Sequence, residues 1–122
     1  NLPRTCLGNC SDEINLLTGV NDNLTVCFDT NHLFKQTHTE FVAGLKKQIG
    51  TVHISDYDFE KERHWMPKVG KVDWQEIIGL LNGAGYVGPW LYEVSFLQKT
   101  ADAEKHLVLS DFAENYRELK LK

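Results

Sequence analysis

The sequence contains no apolar run near the ~20 residues that a membrane span requires. It also has no charged-then-apolar leader of the secretory kind. A cytoplasmic protein with no membrane partner is therefore the default expectation. Cysteine is scarce: Cys6, Cys10 and Cys27 are an odd set without CxxC spacing, which supports neither a disulfide framework nor a structural zinc knuckle. Reduced thiols fit that compartment, with Cys27 packing as a small hydrophobe. Positive charge is in deficit, with 13 Lys and Arg against 17 Asp and Glu, a net charge of −4 and a pI near 5.7. That balance gives no electrostatic reason to expect nucleic acid as the main partner. Low-complexity tracts and Pro/Gly linkers are missing too, so residues 1–122 are expected to form one unit. The chain opens on Asn1 without an initiator methionine, which fits either processing or a piece of something larger.

What is present is an ordinary globular composition, 42% hydrophobic and 25% charged, long enough to bury a core. Three short β-rich runs stand out, Leu24 to Phe28, Thr51 to Ser55 and Trp90 to Ser95. Helical patterns lie around them, an alternation that predicts repeated βα units with a parallel sheet. One helix is expected from Ser11, with Ile14, Leu17 and Val20 along a face. A second follows a Thr37/Glu40 capping box, with Phe41, Leu45 and Ile49 repeating every four residues and Gly50 ending it. Asp73 caps a third helix, with Glu76 at its third position and Ile77, Ile78, Leu80 and Leu81 as its buried side; the glycines of "NGAGYVG" close it. The last is expected from about Ala101 to Leu119, ending in the cationic "RELKLK". His38 and His106 read as helix-surface residues. The charged, aperiodic "DYDFEKERHWMPKVGKV" reads as a long functional loop.

Each β-run carries ionisable groups at or near its C-terminal end. Side chains alternate along a strand, so Asp29 shares a face with Thr25 and Cys27, His53 with Thr51 and Ser55, and Glu93 with Leu91 and Ser95. The bulkier residues, such as Val26, Phe28, Val52 and Ile54, point the other way, under the helices. Three parallel strands then aim Asp29, His53 and Glu93 at one mouth, the end where α/β active sites lie. Two carboxylates and an imidazole form a mixed, fairly hard donor set suited to manganese, magnesium, cobalt or zinc. His32, three residues after Asp29, can reach substrate or metal, or cap a turn. Asp56 can support the site or cap the loop, His64 can line the pocket or sit in solvent, and Trp65 can wall off a sugar face or anchor the loop.

"DTNH", "HISD", "ERHWMPKVGKVDW" and "LYEV" in this order resemble the C-terminal half of the sugar phosphate isomerase/epimerase family. These are the xylose isomerase-like TIM barrels, which also resemble type IV apurinic endonucleases. The resemblance implies an α/β fold: the C-terminal half of a (β/α)8 barrel, three parallel strands alternating with four helices, equivalent to strands six to eight. It implies Asp29, His53 and Glu93 as ligands of a divalent metal and places His32 near the substrate; His64, Arg63 and Trp65 are the further substrate-binding candidates. The family's loop often reads Asp-x-His and then Pro-Gly-x-Gly; here Glu62 replaces the aspartate and Lys68 stands where glycine is usual. A fourth ligand, a glutamate ending the fifth strand, would precede "NLPR". A full barrel takes about 250 residues, so the N-terminal half is expected to be absent.

The implied chemistry is proton transfer next to the carbonyl of a sugar or sugar phosphate through an enediolate, with Glu93 as ligand and as one of two acid/base carboxylates. The second carboxylate lies outside the chain, which alone is expected to be inactive. The open edges of a half-barrel lead to an expectation of self-association. The alternatives are an inosose dehydratase-like lyase, an apurinic endonuclease-like metal phosphodiesterase, and a non-catalytic half-barrel assembly module.

Overall fold

The computed structural model describes residues 1–3, 7–101 and 103–121. Arg4 of "NLPR", Cys6 and the terminal Lys122 of "RELKLK" lie outside the described residues. In chain order the elements are α1 (Ser11–Thr18), β1 (Val26–Asp29), α2 (His38–Gly44), β2 (Ile49–Ile54), α3 (Trp74–Gly83), β3 (Trp90–Tyr92), β4 (Leu97–Lys99), β5 (Glu104–His106) and α4 (Leu109–Leu119). Strands β1, β2 and β3 form a parallel sheet in that order, an arc of a barrel rather than a closed one. Strands β4 and β5 form a separate antiparallel hairpin.

Alternation sorts the sheet's two faces. Phe28, Val52 and Ile54 are fully buried against Phe41 of α2 and Ile77 and Leu81 of α3, and Phe28 stacks on Phe41 with centroids 5.9 Å apart. Burying a side chain of this kind stabilises by about 1.5–3 kcal/mol, so this side carries the core. The opposite face holds Cys27, Thr51, His53 and Leu91 and is open; Leu91 is 43% exposed. In a complete barrel that face would be interior.

The helix starts follow the capping chemistry. Thr37 and Glu40 form the reciprocal capping box, and the Asp73 carboxylate accepts from Gln75 N and Glu76 N. Gly85 then takes a left-handed φ of 71°, which glycine adopts without a Cβ penalty, and its N–H bonds Asn82 O.

Several expectations need correction. The second helix ends at Gly44, and Ile49 and Gly50 belong to β2: the four-residue apolar spacing runs by chance across a helix end into a strand. In α1 only Ile14 of the expected stripe is buried; Leu17 is exposed and Val20 lies past the helix. The long last helix from Ala101 is instead the β4–β5 hairpin followed by α4, so His106 sits on a strand, and Val108 and Tyr116 are exposed. β3 stops at Tyr92, which leaves Glu93 just beyond the strand. His38 is 3% exposed, not on the surface. It packs edge-on against Phe28 and Tyr57 and donates Nε2–H to Thr30 O at 2.8 Å.

Candidate functional site

The strand register brings the acids and imidazole together. Asp29 pairs with His53 across β1–β2, and His53 with Leu91 across β2–β3. Glu93, two residues beyond Leu91 and on the same face, donates its N–H to Ile54 O and so extends the ladder by one step. Ligand-type atoms of Asp29, His53 and Glu93 all lie within 4.8 Å of one another. His53 Nδ1 is 2.9 Å from Glu93 Oε2 and 3.8 Å from Asp29 Oδ2. Asp29 is buried, whereas the side chains of His53 and Glu93 are 38% and 44% exposed, so the cluster opens at the mouth. A depression of about 380 Å³ lined by His64, Tyr92, Glu93, Val94 and Ser95 lies beside it.

The carboxylates are electrostatically unequal. Burial, followed by the adjacent Glu93, pushes the Asp29 acid well above the usual carboxylate range, against the pull of the Asn31 N–H. Burial also pushes Glu93 up, but hydrogen bonding with Asp29 and His53 outweighs it and holds Glu93 low. Two acids this close favour holding one proton between them. The charge of a divalent cation would replace that proton, and the two-carboxylate, one-imidazole donor set fits such an ion.

A second cluster adjoins the first. Ligand-type atoms of His32, Glu62 and His64 also lie within 4.8 Å of one another, and the two imidazoles meet edge to face at 5.5 Å. His32 Nδ1 faces Asp29 Oδ2 at 3.1 Å and Asn1 O at 3.3 Å. A carbonyl can only accept, so Nδ1 carries the hydrogen, and burial favours the neutral ring. Likewise His64 Nδ1 donates to Glu93 O at 3.0 Å. In both rings Nδ1 is thus the nitrogen that bonds the protein backbone, and His32 Nε2 lies 4.0 Å from Glu62 Oε2. Arg63, the other sequence candidate, pairs with Asp58 at 2.6–2.7 Å and lies over the Trp65 ring at 5.3 Å. Trp65 donates Nε1–H to Lys99 O on the hairpin.

Asp56 organises the loop that carries these groups. It is fully buried. Its Oδ1 accepts from Tyr57 N and Val72 N, and its Oδ2 from Lys68 N and Trp74 Nε1, at 2.8–3.0 Å; its backbone pairs with Trp65. A Cβ at Gly70 would overlap Asp56 Oδ1 and the Tyr57 backbone, so only glycine fits there. Lys68, which replaces a usual glycine, takes the left-handed φ of 76°.

Residues that sequence reading did not single out also shape the mouth. Asn1 bonds both the N–H and the carbonyl of Asp29, Asn31 bonds Arg63 N, and Gln98 accepts from Met66 N at 2.7 Å. Their partners lie 28 to 32 positions away, and no local pattern marks them. Glu62 had a signal in its Glu-x-His spacing to His64.

The family model described as xylose isomerase-like TIM barrel matches residues 1–109. The chain belongs to that family. Among solved structures, the crystal structure of a D-tagatose 3-epimerase-like protein matches with a TM-score of 0.75 at 23% identity, covering 98% of this chain. The chain spans 43% of that protein's length. No curated protein matches significantly. The family member described here is therefore an unclosed part of a barrel, with the open sheet face where a complete barrel has its interior.

Proposed function

We propose that this chain is part of a divalent-metal-dependent sugar or sugar phosphate isomerase or epimerase. The observation that carries this is the meeting of Asp29, His53 and Glu93 at the C-terminal ends of three parallel strands in a xylose isomerase-like barrel. These three side chains would hold manganese, magnesium, cobalt or zinc. When bound, the ion supplies positive charge to oxygens of the sugar as the enediolate develops. Glu93, kept ionised by its neighbours, removes or returns the proton on the carbon beside the carbonyl. His32 and His64, each bonded to the backbone through Nδ1, would offer Nε2 to sugar hydroxyls. Trp65, backed by Arg63, offers a flat ring face for the sugar.

Acid/base chemistry on two faces of a planar intermediate needs a second carboxylate, which belongs to the part of the barrel outside this chain. The chain alone is inactive in this reading. Its open sheet face and the free edge of β3 favour self-association, with a second copy covering the exposed Leu91 face. Residues 1–122 act as one partial-barrel domain in a cytoplasmic setting.

The test is twofold. Cobalt titration of the purified chain, followed by visible absorption, is expected to show binding that H53A and D29N weaken at least tenfold. Deuterium from solvent should enter a ketose beside its carbonyl only when the chain is combined with the remaining half of an epimerase-like barrel. Cobalt binding unaffected by both substitutions would remove the metal site. A second reading, a metal phosphodiesterase, is favoured specifically by the His32–Glu62–His64 cluster, which could hold a further ion; the net charge of −4 opposes a DNA-facing surface. Cleavage of an abasic DNA duplex by the completed barrel, without ketose exchange, would favour it.

A further inference from the structure

Asn31 connects the two clusters of the mouth. It is fully buried. Its backbone N–H donates to Asp29 Oδ1 at 2.9 Å, and its side-chain Oδ1 accepts the backbone N–H of Arg63 at 3.2 Å. The first bond is an Asx turn closing the end of β1. The second reaches across 32 positions to the residue between Glu62 and His64. Whatever fixes Arg63 N fixes the backbone from which both neighbouring side chains project.

The far side of this segment is fixed separately. Ser95 N and Gln98 Nε2 donate to His64 O, and Met66 N donates to Gln98 Oε1. The hairpin side thus holds residues 64 to 66, and Asn31 holds residue 63 from the β1 side. Between these two anchors the His64 ring places its Nδ1–H on Glu93 O. Among the described residues, Nδ2 of Asn31 is the one buried side-chain nitrogen or oxygen without a hydrogen-bond partner. Burying an amide with its N–H₂ end unpaired is unfavourable. The end that is used, the oxygen on Arg63, is what a carboxamide supplies here and an aliphatic side chain would not.

We propose that Asn31 is a positioning residue of the site: its carboxamide oxygen anchors Arg63 N–H and so holds His64 with Nδ1–H on Glu93 O. It touches neither substrate nor ion; it acts through the backbone of the Glu62–Arg63–His64 segment. This rests on the reading of the strand ends as the functional site. The test below uses neither metal nor substrate, so its failure and a failure of that reading are separable.

The probe is the tautomer of each histidine ring, read from the side-chain ¹⁵N shifts of the full chain. Wild type is expected to show His64 as the Nδ1–H form and His38, which donates Nε2–H to Thr30 O, as the opposite form. In Asn31→Leu, of similar size but without an acceptor, His64 is expected to lose its single-tautomer signature. Exchange of the Arg63 amide hydrogen should accelerate about tenfold or more. His38 should remain unchanged as the internal report on folding. Asn31→Asp, which keeps an oxygen on Arg63 N, should restore both wild-type signals. If Asn31→Leu also disturbs His38, Asn31→Ala takes its place under the same criteria. An Nε2–H form of His64 in wild type, an acceptor-free variant that leaves His64 and Arg63 unchanged, or no restoration by Asn31→Asp would each overturn the proposal.

Discussion

Asp56→Asn changes one buried oxygen to N–H₂ with almost no change in shape, and its effect can be worked out bond by bond. The carboxylate takes two donors on each oxygen: Tyr57 N and Val72 N on one, Lys68 N and Trp74 Nε1 on the other. The amide oxygen of asparagine can serve one pair only, and the N–H₂ end then faces the other two donors. Hydrogen bonds to a charged acceptor contribute about 1.5–3 kcal/mol, and a buried donor left unsatisfied costs about 1–3 kcal/mol. Two lost bonds therefore predict a destabilisation of about 3–6 kcal/mol, a large share of the ~5–15 kcal/mol of a typical domain.

The assay is urea unfolding followed by circular dichroism, with Asp73→Asn as the control. Asp73 also accepts two backbone N–H groups, but at an exposed helix N-cap. Asparagine is about as good a cap as aspartate there, and a change under about 0.5 kcal/mol is expected. The same chemical replacement should thus differ several-fold between the two positions. An Asp56→Asn loss below about 1 kcal/mol, or one no larger than the control, would refute the view that this carboxylate organises the loop.

Two further predictions concern pH. Burial first, against the bond to Thr30 O and the fields of Glu76 and Asp56, lowers the His38 pKa in the folded protein below its ordinary 6.5. The unfolded chain then binds the proton more readily, so stability falls as pH drops below about 6.5, by at most about 1.4 kcal/mol per pH unit from this group. Urea midpoints of His38→Gln should show a shallower slope than wild type in that window, and identical slopes would contradict the assignment. Burial pushes Asp58 up, but the Arg63 guanidinium and the Lys61 and Glu60 amides outweigh it and hold the acid well below its ordinary 3.8. Its stabilisation is therefore present above about 3.8 and lost as pH falls through the lower folded value. The stability gap between wild type and Asp58→Asn should narrow on acidification from about pH 5 to about pH 2; a constant gap would exclude the pairing as its source.

Local periodicity made the sheet and its mouth legible. Alternation depends only on neighbouring residues, so Val26, Phe28, Val52 and Ile54 could be assigned to the core and Asp29 and His53 to the opposite face from their positions alone. The capping box at Thr37 and the N-cap at Asp73 were legible for the same reason: donor and acceptor are two or three residues apart. The hairpin was not. "LQK" and "EKH" carry no strand composition, and what holds them is distant: Trp65 Nε1 on Lys99 O and Met66 N on Gln98 Oε1. The apolar residues after Thr100 happened to repeat at helical spacing, and that pattern led to a helix several residues too long.

His38 shows why burial in a short helix escapes such reasoning. With seven residues, α2 is too brief for a stripe to declare its buried side. Its first residue is enclosed because the helix start sits over the end of β1, where Thr30 O needs a donor. The same end of β1 sets the Asx turn of Asp29, the Asn31 contact to Arg63 and the His32 contact to Asp29. Asp29, the last residue of β1, and the three that follow it, Thr30, Asn31 and His32, thus connect the core helix, the loop and both histidine–carboxylate clusters. Disturbing the Thr30 or Asn31 contact should therefore loosen the site at a greater cost than removing an exposed surface pair such as Lys68–Glu118.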